Sequence, residues 1–289
     1  MERMDPGGAV GPRVTTVTGL RRGAGPDGRV TDGALARLGA CLDDYAGRIA
    51  RAGSPPVTAV GTAAVREAPN RGDIESLVGT RLGVPLRVIG GEEEAALSFA
   101  GARLALTDGT AACTVIDIGG GSTEVVEGDA AGPRRSVSLP LGVNRQGDMI
   151  TTDPPRKAEV EAIVREAREM VARATAGFTG DGPLLGVAGT VTTLAAVMIG
   201  HYDPAAVHRT RIGRDEVQEV LARMASMAAG ERARTPGVHP DRVNVIVPGL
   251  AILLGALTAL GADGLMASEC DLLDGIALAV AAGRGVRAE

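Results

Sequence analysis

The sequence predicts an α/β chain of two domains with a cleft between them. Short apolar runs of strand length alternate with segments of helical period along most of the chain, which is the pattern of layered α/β folds. A cluster of three strand-like runs between residues 112 and 139 breaks that alternation and reads as a hairpin group. The length, 289 residues, allows one large domain or two of ordinary size.

The elements follow in order. Residues 1–13 are rich in Gly and Pro, have no period, and are expected to be disordered. Val14 to Val17 suggests a short strand. Leu35, Leu38, Leu42, Tyr45 and Ile49 recur at helical spacing, with Thr31 or Asp32 as the N-cap. Strands are expected at Val57–Val60 and Val84–Ile89, with a helix around Ile74, Leu77 and Val78 between them. A helix begins near Glu92 after Gly90-Gly91. Its three glutamates, Glu92, Glu93 and Glu94, sit where the helix dipole favours negative charge. Ala112–Ile118 is an apolar strand, Thr123–Glu127 its return arm, and Arg135–Leu139 a third strand. A helix follows over Val160–Val171, a strand over Leu184–Ala188, and helices over Thr190–Ile199 and around Val217–Met224. Val243–Leu260 is the longest apolar run. Asn244, Pro248 and Gly249 within it argue for a buried helix rather than a membrane span. Leu265–Ala267 and Leu272–Ala282 close the chain as strand and helix. The domain boundary is expected near Thr107–Thr110. This gives residues 14–108 as the first domain and 109–289 as the second, with the closing helix free to pack back on the first.

Composition narrows the function classes. Apolar residues make up 45% and charged residues 22%, as in ordinary globular proteins, and the net charge of −5 gives no broad cationic footprint for nucleic acid. The three cysteines, Cys41, Cys113 and Cys270, are far apart and lack metal-ligand spacing, so a reducing, cytoplasmic setting is expected. His201, His208 and His239 form no paired metal motif. No leader or membrane partner is expected, and a homodimer is left open.

The most informative segment is Asp117-Ile118-Gly119-Gly120-Gly121-Ser122-Thr123-Glu124, between two strands. Three glycines permit positive φ and close backbone approach, so that successive N–H groups can converge on one oxyanion with the Ser122 hydroxyl beside them. Asp117 ends a buried strand, where a carboxylate needs a partner such as Mg²⁺ or a lysine. A tight hairpin closed by a capping aspartate fits the same residues. Neither a Walker A lysine nor a Rossmann helix follows.

The segment resembles the second phosphate loop of the actin, sugar-kinase and Hsp70-like superfamily. Within it, the chain is most similar to the exopolyphosphatase and guanosine pentaphosphate phosphatase family. Gly61–Asn70 (GTAAVREAPN) resembles A-T-x-x-x-R-x-A-x-N, and Gly91–Ala95 followed by Gly101 resembles G-x-E-E-A. Pro140–Arg145 resembles P-L-G-x-x-R, and Gly186–Thr190 a second G-T turn. Thr235–Arg242, Gly249 and Ser268–Gly275 fit the C-terminal pattern. The order is preserved from about Val14 to Ala282, as in the short two-domain members of the family. The resemblance implies two ribonuclease H-like domains of the actin-like ATPase type. It also implies hydrolysis of a terminal phosphate from inorganic polyphosphate or guanosine pentaphosphate, with Mg²⁺ as cofactor. Glu94 falls on the general base, Asp117 and Glu124 on the metal-binding carboxylates, and Gly119, Gly120, Gly121 and Ser122 on the phosphate cradle. Arg66, Asn70, Arg145, Gly189 and Thr190 fall on substrate-facing positions.

One departure stands out. Family members begin with a strand ending in D-x-G-S/T-N, the first phosphate loop, and a second strand follows it. Met1–Arg13 stands in their place. The first domain is therefore expected to lack its first two strands and to expose an apolar edge at Val14, and the chain as written to be inactive or nearly so. The competing readings are a kinase or ATPase of the same superfamily, and a non-catalytic binder of polyphosphate or alarmone.

Overall fold

The computed structural model describes residues 13–16, 18–20, 27–107 and 112–283. Most of the expected disordered segment and the expected boundary at 108–110 lie outside these residues. The chain divides into two compact units, residues 1–94 with 276–289 and residues 95–275.

In the first unit, α1 (Asp32–Arg51) is followed by β1 (Ala59–Gly61), α2 (Ala63–Arg66), α3 (Arg71–Leu82) and β2 (Leu86–Val88), and α4 (Gly91–Ala102) begins at its edge. Thr31 caps α1, its hydroxyl accepting from the Ala34 N–H at 3.2 Å. Gly83 ends α3 in the left-handed conformation (φ +71°) that glycine takes without strain. β1 and β2 pair in parallel, Ala59 opposite Leu86 and Gly61 opposite Val88. Val30, Ala34, Val65, Ala68 and Ile74 form the core between them and the helices.

The expected strand at Val14 is not formed: residues 14–16 carry no strand, and Val17 is outside the described residues. Hydrogen bonds from side chains of α1 hold this segment instead. The Tyr45 hydroxyl reaches the Val14 carbonyl at 3.3 Å, and Arg37 reaches the carbonyls of Thr18 and Gly19 at 2.8 and 3.2 Å.

The second unit carries β3 (Ala112–Ile118), β4 (Thr123–Asp129), β5 (Gly132–Leu139), α5 (Val143–Gly147), α6 (Lys157–Ala174), β6 (Leu184–Val187) and α7 (Ala188–Ile199). Then follow α8 (Pro204–Val207), β7 (Arg211–Gly213), α9 (Arg214–Ala225), α10 (Ala229–Arg232), α11 (Ile246–Ala259), β8 (Gly264–Ala267) and α12 (Leu272–Ala281). Six strands form one mixed sheet in the order β5-β4-β3-β6-β8-β7. β3, β6 and β8 run parallel, and β4, β5 and β7 are antiparallel to their neighbours. This is the α/β class expected, with the hairpin cluster forming one half of the sheet.

Alternation along the strands separates two cores. Ile116, Ile118 and Val125 face a large core filled by α6, α7, α9 and α11. Cys113, Val115, Val126, Leu185 and Val187 face the other side, covered by Ala95, Phe99 and Ala102 of α4. The predicted buried helix is α11, apolar on all sides, with Pro248 in its first turn where no N–H partner is lost. Among the described residues no helix is long and apolar enough to cross a membrane. The close of α4 meets the start of α12 with no side chains between. A Cβ on Gly101 would strike the Asp271 carbonyl, and one on Gly275 the Leu97 carbonyl. The four- and five-residue helices α2, α5, α8 and α10 and the three-residue strand β7 were not expected, because elements this short show no period.

Candidate active site

The site residues of the second unit gather where the parallel strands end. In open α/β sheets, ligands bind beyond the carboxyl ends of the strands. β3 leads into the turn at Gly119–Ser122, its neighbour β6 into the turn at Ala188–Thr190, and β8 into Ser268–Asp271. Asp117 lies opposite Glu124 on β4, and Glu124 opposite Ser138 on β5, so the three side chains share one row and one face. The Ser138 hydroxyl donates to Glu124 Oε1 at 2.6 Å.

The glycine turn is built differently from the sequence expectation. None of Gly119, Gly120 and Gly121 has a positive φ, so these glycines do not form a left-handed turn. What requires glycine is proximity. A Cβ on Gly120 would stand 2.8 Å from Asn144 Nδ2, and one on Gly142 would run into the backbone of Gly120 and Gly121. The turn is docked on the start of α5. The N–H groups of Val143 and Asn144 donate to the carbonyls of Gly119 and Gly120 at 3.0 and 2.9 Å, and the Gly119 N–H donates to the Ser122 carbonyl at 2.9 Å. Arg145 lies exposed on the same short helix. Among the described residues it makes no ion pair with Asp148.

The second turn opens α7. Ala188 holds φ +64°, a left-handed value that costs a non-glycine residue about 1–2 kcal/mol. Gly189 is pressed against the guanidinium of Arg242, which any side chain at 189 would displace. Thr190 is buried, and Gly249 of α11 packs on it, with a would-be Cβ 2.7 Å from Thr190 Oγ1 and 3.2 Å from Val143. Three separate sequence segments, around 143, 190 and 249, thus meet at one point. Arg242 was not among the expected site residues. It is half-buried, and no carboxylate among the described residues pairs with it. The signal available in sequence was its place beside Asp241 in the C-terminal pattern.

In the first unit, Arg66 and Glu94 come together. Arg66 Nη1 donates to Glu94 Oε2 at 3.1 Å and to the Ile89 carbonyl at 2.7 Å. Asn70, placed with Arg66 on a substrate-facing position by the resemblance, has its amide turned into the protein. Its Oδ1 accepts from the Val30 N–H at 2.9 Å, while Nδ2 donates to the Val30 carbonyl and to Asp73 Oδ2, both at 3.0 Å. Both ends of the buried amide are therefore engaged within the protein.

The fit to a metal rests on Asp117 and Glu124. Among the described residues no group of three or more His, Cys, Asp or Glu is placed to hold an ion. Two carboxylates in one row beside the glycine turn fit the donor preference of Mg²⁺. This ion takes one or two carboxylates and draws its other ligands from water and substrate phosphate.

This arrangement of sheet, turns and carboxylates is that of a phosphate-handling protein. A family model, the Ppx/GppA phosphatase family, matches residues 12–282, and the chain belongs to this family. It is 35% identical over 283 residues to "Exopolyphosphatase 2" of Mycobacterium tuberculosis, covering 93% of this chain and 88% of that protein. Among solved structures, an exopolyphosphatase-like protein superposes with a TM-score of 0.84 at 31% identity, covering 94% of this chain and 92% of the other. The Aquifex aeolicus member of the Ppx/GppA family superposes with a TM-score of 0.83 at 25% identity, covering 98% and 93%. The fold class and family expected from the sequence are both borne out.

Proposed function

We propose that the chain is an exopolyphosphatase-type phosphohydrolase that releases terminal phosphate from inorganic polyphosphate, with guanosine pentaphosphate as the second substrate of the same chemistry. The observation that carries the reading is the row Asp117–Glu124 beside the turn Gly119–Ser122. It sets metal-type carboxylates next to backbone donors at the carboxyl edge of the sheet. The relatives named exopolyphosphatase support polyphosphate as the substrate class.

In this reading Glu94 is the general base that takes the proton of the attacking water, and Arg66 orients its carboxylate. Backbone N–H groups of the turn, the Ser122 hydroxyl, and the cations Arg145 and Arg242 receive phosphate oxygens. Gly189 and Thr190 shape the adjoining turn. Asp117 and Glu124 would hold Mg²⁺, which when bound would supply positive charge to offset the phosphate oxygens. Ser138 fixes the carboxylate plane of Glu124. The three cysteines, none of them in a disulfide, suit a reducing, cytoplasmic compartment.

The test is release of inorganic phosphate from short-chain polyphosphate by the purified protein with Mg²⁺, beside Glu94→Gln. Release by the wild type that Glu94→Gln abolishes while polyphosphate binding persists supports the reading. Binding without release by the wild type, unchanged in Glu94→Gln, would instead make the chain a binding protein.

A further inference from the structure

Arg87 on β2 is an arginine whose side chain is only 12% exposed. Its Nη2 grips both oxygens of Glu93, at 2.7 and 2.8 Å, while Nε and Nη1 are buried without a partner among the described residues. Leaving guanidinium donors unmatched in the interior costs stability, and a buried ion pair is in itself weak evidence of stabilisation. The pair therefore calls for a geometric rather than an energetic explanation.

The geometry supplies one. α4 is entered through Gly90-Gly91, two residues with the greatest backbone freedom, immediately before the three glutamates. Arg66 tethers the first turn at Glu94 through one nitrogen that it shares with Ile89. One tether allows the turn to pivot about it. A second tether on the adjacent residue, from a different element, stops the pivot. Adjacent residues on a helix point about 100° apart. Arg66 from α2 and Arg87 from β2 thus hold the turn from two directions.

We propose that Arg87 is a positioning residue for Glu94. By clamping Glu93 it sets the angle at which the first turn of α4 leaves the Gly-Gly joint, and so the aim of the neighbouring carboxylate. This rests on the reading of Glu94 as general base. Sequence alone gives no sign of it: Glu93 falls within the G-x-E-E-A segment, but nothing in the sequence marks Arg87 as its partner.

Steady-state phosphate release from short-chain polyphosphate tests this with Arg87→Met, Arg87→Lys, Glu93→Gln and the double variant Arg87→Met/Glu93→Gln. Arg87→Met and Glu93→Gln should each lower kcat by roughly ten- to a hundredfold, with KM held within about twofold, since a misaimed base loses turnover rather than binding. The double variant should be no worse than either single one, because both remove the same clamp. Arg87→Lys, which keeps a charge for Glu93, should recover part of the loss. If Arg87→Met does not fold, Glu93→Gln carries the same reading. Unchanged kcat, additive losses, or a loss that tracks melting temperature alone would overturn the proposal. Glu94→Gln separates the two levels. If it keeps wild-type turnover, the base assignment falls and this inference with it; if it is dead while Arg87→Met turns over normally, only this inference falls.

Discussion

Arg66 and Glu94 share a hydrogen bond of 3.1 Å, and the same guanidinium nitrogen holds the Ile89 carbonyl at 2.7 Å. One side chain thus ties the end of β2 to the carboxylate at the start of α4. Replacing Arg66 by Ala should lower kcat/KM for phosphate release by about a hundredfold. Arg66→Lys should fall between the two, because an ammonium keeps the charge but not the planar fork. Initial rates at matched protein concentration check both.

Asn70 uses both ends of its buried amide on Val30 and Asp73. Asn70→Ala strands the Val30 N–H and carbonyl, a loss of about 2–3 kcal/mol. Urea unfolding should show that loss without a matching rise in KM for substrate.

Ala188 opens α7 at φ +64°. Glycine reaches this conformation freely, but it also loosens the unfolded chain. The strain relieved is the larger effect, so Ala188→Gly should stabilise by about 1 kcal/mol. Thermal unfolding at neutral pH reads this directly.

Glu127 on β4 titrates against two opposing influences. Burial pushes its carboxyl up. Hydrogen bonds from the backbone N–H groups of Gly180 and Thr179, the Thr179 hydroxyl and Arg135 together outweigh burial and hold the carboxyl below its ordinary value. A depressed folded-state value means the stabilisation is complete above the unfolded-state value. It is lost as pH falls below about 4, through the folded-state value. The wild type should therefore lose stability faster than Glu127→Gln on acidification below that point. At pH 7 Glu127→Gln should be less stable by about 2 kcal/mol. Denaturant midpoints at several pH values give both results.

The parts of the fold legible in sequence were those with a period or an uninterrupted apolar run. The spacing from Leu35 to Ile49 gave α1, and the run from Val243 to Leu260 gave α11. Elements of three to five residues, such as β7 and α5, were invisible because one helical turn or one pleat leaves no pattern. In the proposed site, Asp117, Glu124 and the glycine turn are singled out by residue type and order. The purpose of the glycines could not be read that way, because closeness to Asn144 and Gly142 depends on residues about 20 positions away in the chain. Arg87 and Arg242 were missed for the same reason. What marks each is its partner in space, Glu93 for one and Gly189 for the other.

The docking of Gly119 and Gly120 on the start of α5 has a consequence for how substrate is met. A glycine-rich turn free in solution would have to surrender its conformational entropy each time a phosphate arrived. Here that ordering is completed during folding, because two carbonyls are already claimed and Gly142 leaves no gap for the turn to fall into. The turn behaves as a fixed wall rather than a closing strap. In the proposed function, substrate affinity at this wall carries no ordering penalty, and turnover need not wait for the loop to move.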